Sequence, residues 1–83
     1  MDKLLIRLQV PILGSEYDVF VPPDIPVSQV IDVLTSGLVD LSNGRYAKTG
    51  REMMIRQHPD ILLRPSMSLE QYQGRDGDEY ILL

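Results

Sequence analysis

Between Leu4 and Val21 apolar and polar residues alternate twice, and no other local pattern restricts the fold of this chain as tightly. Leu4, Ile6, Leu8 and Val10 share one parity, and Leu5, Arg7 and Gln9 the other. Successive side chains of a strand point to opposite faces, so this run predicts a half-buried strand. Glu16 to Val21 repeats the pattern, with Tyr17, Val19 and Val21 inward and Asp18 and Phe20 outward. The five residues Pro11 to Ser15 are short enough for a hairpin connection, and Gly14 is free to take a positive φ there. Pro22-Pro23 then ends the second strand, because neither residue can donate a ladder hydrogen bond.

After Asp24-Ile25-Pro26 the period changes. Val27, Val30, Ile31, Leu34, Leu38 and Leu41 recur at helical spacing, with Ser28 and Asp32 on the opposite side. Pro26 suits the first turn of a helix, and Asp24 lies where a carboxylate favours the helix N-terminus. Gly37 is an interior glycine that costs about 1 kcal/mol relative to Ala. The helix therefore either ends at Gly37 or runs on to a stop near Asn43-Gly44, and the longer helix is the expectation.

Asn43 to Gly50 reads as a polar connection. Met53 to His58 is a third strand, Pro59-Asp60 turns it into a short fourth at Ile61 to Leu63, and Arg64 to Met67 is loop. Ser68 is placed to cap one short helical turn carrying Leu69 and Tyr72. A last apolar strand starts at Asp78 or Glu79 and reaches Leu83. The predicted order is β-β-α-β-β-β, an α+β fold with a mixed sheet against one main helix. The 83 residues make one domain, 1–83, burying about 60% of the unfolded chain's surface.

Composition narrows the function. The net charge is −4, and six arginines and two lysines are scattered singly, which disfavours nucleic acid as a partner. There is no cysteine and one histidine, so neither a thiol nucleophile nor a histidine metal cluster is available. No apolar run is long enough to insert in a membrane, and the first seven residues lack the apolar core of a signal peptide, so a cytoplasmic location is expected. Asp76 and Asp78 flank Gly77, with Asp60 and Glu79 as possible neighbours; their spacing does not match a calcium loop and reads as a turn. His58 has no nucleophile patterned around it and reads as a strand-end residue. No cofactor, metal or catalytic site is expected.

The order of elements and the corner residues resemble the β-grasp fold of ubiquitin. Ser68-Leu69-Glu70-Gln71-Tyr72 is similar to ubiquitin's Thr-Leu-Ser-Asp-Tyr, where the Leu is core and the Tyr pins a loop. The resemblance places Tyr80 and Leu82 in the core of the final strand, and Ile81 and Leu83 on its outward face. A closer resemblance is to the YukD/EsaB family, small ubiquitin-like proteins of bacterial type VII secretion loci. It is carried by Tyr17-Asp18-Val19-Phe20-Val21-Pro22 with Ile25 to Ile31, and by Tyr72-Gln73 with Asp76-Gly77-Asp78. Two departures stand out: Gly74 replaces an apolar core residue, and the 43–50 loop matches nothing in the family.

This resemblance implies a non-catalytic cytoplasmic accessory that docks onto a membrane-anchored component of a type VII secretion machine. By alternation Leu5, Phe20, Met54, Ile81 and Leu83 face away from the helix, and they are the expected protein-contact residues, with Phe20, Met54 and Ile81 as anchors. A homodimer contact, coverage by flanking loops and scattered exposure are the alternative uses of the same face. A covalent modifier or sulfur carrier is the alternative function; it needs a flexible Gly-Gly tail beyond the last strand, where this sequence ends at Leu83. Lys3 and Lys48, the only lysines, suit chain-building poorly. Whether the chain is a free protein or a domain of a larger one stays open.

Overall fold

The computed structural model describes residues 3–83. Its elements are β1 (Leu4–Val10), β2 (Ser15–Val21), α1 (Val27–Leu41), β3 (Met54–Arg56), β4 (Ile61–Leu62) and β5 (Glu79–Leu82). The strands form one sheet in the order β2-β1-β5-β3-β4. β1 is antiparallel to β2 and parallel to β5, and β3 is antiparallel to both β5 and β4. This is the ubiquitin-like β-grasp, with α1 packed across one face of the mixed sheet.

The alternating residues build the core as their parity predicts. Ile6, Leu8 and Val10 of β1, Val21 of β2, and Tyr80 and Leu82 of β5 are buried against Val27, Val30, Leu34 and Leu38 of α1. The connection between β1 and β2 is a single 3-10 turn, Pro11–Leu13, closed by Gly14 at φ 63° with its N–H donating to the Pro11 carbonyl. That left-handed position is the one a glycine fits without strain.

The helix runs through Gly37 to Leu41 and ends where Asn43 and Gly44 adopt positive φ, the Gly44 N–H reaching the Val39 carbonyl. Its N-terminus has no side-chain cap. Pro26 is the N-cap, and the N–H groups of Val27 and Ser28 donate instead to the Met67 and Pro65 carbonyls, at 2.7 and 3.0 Å. The 64–67 loop thereby takes the place of a cap, satisfying donors that would otherwise be orphaned. Among the described residues no helix is long and apolar enough to cross a membrane.

Two local expectations change. The third strand is three residues long, because the chain turns from Gln57 onward. The Ser68 segment is a turn without an assigned helix, yet it keeps capping chemistry: the Gln71 N–H donates to Ser68 Oγ, and the Ser68 N–H donates to Gln71 Oε1. Leu69 is buried, and the Tyr72 hydroxyl accepts the Arg64 N–H at 2.8 Å, so the tyrosine pins the neighbouring loop.

Candidate docking face of the sheet

The strand registers fix which side chains share the face turned away from α1. Ile55 lies opposite Ile81 on one side and Leu62 on the other, and Ile81 is in register with Gln9. Met53 and Leu83 exchange two backbone hydrogen bonds, of 2.8 and 2.9 Å, one step beyond the Met54–Leu82 pair. Directly opposed residues hold their Cβ atoms about 5 Å apart, so Met53, Ile55, Leu62, Ile81 and Leu83 form one continuous apolar patch. Leu62 is 57% exposed, Met53 and Leu83 about half, and Ile55 and Ile81 are half-buried at the centre.

Beside Leu83 the patch opens into a cleft of about 390 Å³ lined by Pro11, Ile12, Tyr46, Ala47 and Leu82. Glu52 organises its rim. Its Oε2 accepts the Thr49 N–H at 2.6 Å and the Tyr46 hydroxyl at 3.3 Å, and its Oε1 accepts the Gly50 N–H at 3.0 Å. Burial pushes the Glu52 carboxyl up, but the hydrogen bonds from Thr49 and Gly50 outweigh it and hold the group below its ordinary value. Burial, then the charge and hydrogen bond of Glu52, push the Tyr46 hydroxyl up.

The five residues expected from the sequence do not form one surface. Ile81 and Leu83 belong to the patch. Leu5 and Phe20 lie opposite each other on the same side of the sheet, with Phe20 66% exposed, but a charged row separates them from it. In that row Arg7 is in register with both Asp18 and Glu79, and its Nε lies 3.5 Å from Asp18 Oδ1.

Met54 requires correction: it is fully buried, opposite Leu82 on the helix-facing side. Met53-Met54-Ile55 is an unbroken apolar run, so alternation within it has no polar phase marker, and only the pairing with β5 reveals which residues face out. Sequence reasoning accordingly missed Met53, Ile55 and Leu62. Tyr46 was missed too: it is buried, its N–H held by Ser42 Oγ at 2.8 Å, although it stands alone in a polar stretch. A lone aromatic among polar loop residues was the available signal.

The acidic turn has a structural use. Asp76 Oδ1 accepts the Leu5 N–H at 2.8 Å, and Asp78 Oδ2 accepts the Arg75 N–H at 2.9 Å, tying the turn before β5 to the start of β1. His58 Nε2 lies 3.2 Å from Glu79 Oε1 at the surface, and Lys48 pairs with Asp32.

No known protein-family description matches this sequence, and no curated protein matches it. Solved structures do. The ubiquitin-like domain of the type VII secretion system protein ECCD1 of Mycobacterium tuberculosis superposes with a TM-score of 0.74 at 15% identity, covering 100% of this chain and 99% of that one. A chain of the MycP5-free ESX-5 inner membrane complex gives 0.71 at 21% identity, covering 100% of this chain and 21% of that one. Ubiquitin from Caldiarchaeum subterraneum gives 0.66 at 16% identity, covering 96% and 90%. At these identities the similarity establishes the ubiquitin-like fold.

Proposed function

We propose that this chain is a non-catalytic, ubiquitin-like accessory of a bacterial type VII secretion system, of the YukD/EsaB kind. In this reading it works in the cytoplasm, docking its outward sheet face onto a membrane-anchored component of the machine. The observation that carries the proposal is the contiguous patch of Met53, Ile55, Leu62, Ile81 and Leu83, five apolar side chains in adjacent register on one face. Monomers scatter exposed apolar residues singly, whereas grouped ones mark contact surfaces. Similarity to the ECCD1 domain and to a chain of the ESX-5 inner membrane complex favours a secretion machine as the setting.

Binding energy concentrates in a few central, desolvated side chains, which makes Ile55 and Ile81 the anchors and Met53, Leu62 and Leu83 the rim. The adaptable thioether of Met53 takes the role assigned in the sequence to Met54.

The test is affinity capture from detergent-solubilised membranes of a bacterium carrying a type VII locus. The bait is the parent chain, an Ile55→Asp/Ile81→Asp variant or a Phe20→Asp variant, each shown to be folded by circular dichroism. Membrane subunits of the machine should be recovered by the parent and the Phe20 variant and lost with the double variant. Equal recovery by all three, or a loss confined to Phe20→Asp, contradicts the assignment of this face. Sedimentation velocity of the same proteins separates self-association: a parent dimer abolished by the double variant would assign the patch to a second copy.

A further inference from the structure

A second apolar surface lies at the opposite edge of the sheet, between β2 and α1. We propose that it accepts an extended segment of a partner protein as a sixth strand, one that alternates apolar residues toward α1 with lysines or arginines toward the outer face.

The backbone of β2 supplies the template. β2 is seven residues long and stands at the sheet edge. Arg7 donates to the Asp78 carbonyl and Leu5 accepts from Gly77, so these β1 residues bond toward β5. By alternation Leu4, Ile6 and Leu8 bond toward β2, at Val21, Val19 and Tyr17. The N–H and C=O groups of Glu16, Asp18 and Phe20 therefore point outward, and nothing else among the described residues hydrogen-bonds to them. An exposed edge of this length pairs readily with another strand unless it is covered.

The side chains supply the groove. Tyr17 and Val19 face the helix but are only half-buried, because α1 does not reach across the edge strand. Val33, Gly37 and Leu41 line the other wall at four-residue intervals, and Val33 and Leu41 are both exposed. The cavity between the walls is about 180 Å³. Gly37 is otherwise unexplained by the fold. It sits in the helix interior, has no positive φ, and a Cβ added there would meet nothing within 4 Å. A glycine that the packing does not need leaves the floor of the groove open.

Charge selects the occupant. At this edge β2 carries Glu16 and Asp18 against the single cation Arg7 of β1, and α1 adds Asp40, while Asp32 of α1 is paired with Lys48. Glu16 and Asp18 project on the outer face beside the free edge, where side chains of an added strand would stand opposite them. A second copy of this chain would bring its own Glu16 and Asp18 to the same place, and like charges directly opposite are destabilising. A basic strand gains the complementary interaction.

The probe is a synthetic eight-residue peptide alternating lysine with valine or isoleucine, titrated into the 15N-labelled chain and followed by 1H-15N correlation spectra. Saturable shifts should map to Glu16–Val21 and Val33–Leu41, with slowed amide exchange at Glu16, Asp18 and Phe20. A Gly37→Leu variant fills the groove at a position where the fold has room; it should keep the parent spectrum elsewhere and bind about tenfold more weakly or worse. A peptide with every lysine replaced by glutamate should not bind. Overturning results are the absence of shifts, shifts confined to Ile55 and Ile81, equal binding of the glutamate peptide, or undiminished binding by Gly37→Leu. Concentration-dependent broadening of Glu16–Val21 without peptide would make a second copy the occupant and overturn the basic-strand assignment.

Discussion

Replacing Tyr80 by Phe should stabilise the protein, and the gain should grow with alkaline pH. Tyr80 is fully buried in β5, between Leu8 of β1 and Arg56 of β3, and its hydroxyl has no protein hydrogen-bond partner among the described residues. A buried, unpaired polar group costs about 1–3 kcal/mol, so Tyr80→Phe should gain on the order of 1 kcal/mol at pH 7. Burial, reinforced by the Asp78 charge and opposed by Arg56, pushes the hydroxyl pKa up to about 12. In the unfolded chain a tyrosine ionises near pH ~10. Below that value both states hold the proton and the residue makes no pH-dependent contribution. Between pH 10 and 12 the unfolded state releases its proton while the folded state keeps it, so stability falls by about 1.4 kcal/mol per pH unit. At pH 11 the parent should have lost about 1.4 kcal/mol through this residue alone, and the Phe variant none. Urea unfolding followed by circular dichroism at pH 7, 9 and 11 reads the difference directly, because the two proteins share every other ionisable group. A gap between the two proteins that stays constant with pH, or a Phe variant less stable at pH 7, would refute the reasoning.

Other substitutions test the packing and the loop chemistry. Met54→Ala should cost about 2–5 kcal/mol in urea unfolding, as for a buried methionine, whereas Met53→Ala should stay within about 0.5 kcal/mol. Gly74→Ala would place a Cβ 3.1 Å from both Leu4 Cδ1 and the Leu69 carbonyl oxygen; the leucine can move, but that carbonyl is held by the Gly74 N–H at 2.8 Å. A loss of about 1–3 kcal/mol is expected, read as a lowered Tm. Glu52→Gln should remove part of the acid sensitivity. The parent's Glu52 carboxyl is lowered on folding, so its contribution is present above the unfolded carboxylate pKa and is lost as pH falls through the folded one. Thermal melts between pH 3 and pH 7 should therefore be flatter for the Gln variant, which starts from a lower Tm at neutral pH.

What could be read in advance depended on whether a segment carried its own phase marker. Leu4–Val10 is phased by Arg7 and Gln9 and Glu16–Val21 by Glu16 and Asp18, and the observed register of β1 and β2 follows that parity. The helix period survived Gly37 because six apolar positions outweigh one unfavourable glycine. The Ser68–Tyr72 resemblance located a buried Leu69 and a loop-pinning Tyr72 although the segment is a turn. Met53-Met54-Ile55 had no marker, and a one-residue error in phase put Met54 on the outer face when it is buried. Tyr46 was hidden for a different reason: its burial depends on the loop folding back through Ser42 and Glu52, which no local periodicity encodes.

The charged row of Asp18, Arg7 and Glu79 gives the outer face its division of labour. Strands stand about 4.8 Å apart, so Phe20 on β2 and Ile55 on β3, separated by two intervening strands, are roughly 14 Å apart across the sheet. A continuous apolar face of that width would invite non-specific association. Interrupting it with an ion pair keeps water between the two halves, since burying Arg7, Asp18 and Glu79 under one flat partner would demand desolvation that their mutual attraction repays poorly. Two narrower outer surfaces result, the Ile55–Ile81 patch and the Leu5–Phe20 pair, while the free β2 edge beside the latter adds backbone hydrogen bonds and an acidic rim. Sites separated this far and sharing no contact behave independently to within about 0.5 kcal/mol. An Asp at Ile55 should therefore leave strand binding at β2 unchanged, and a filled groove at Gly37 should leave docking through the patch unchanged, so the two interactions can be separated by mutation and occupied at once.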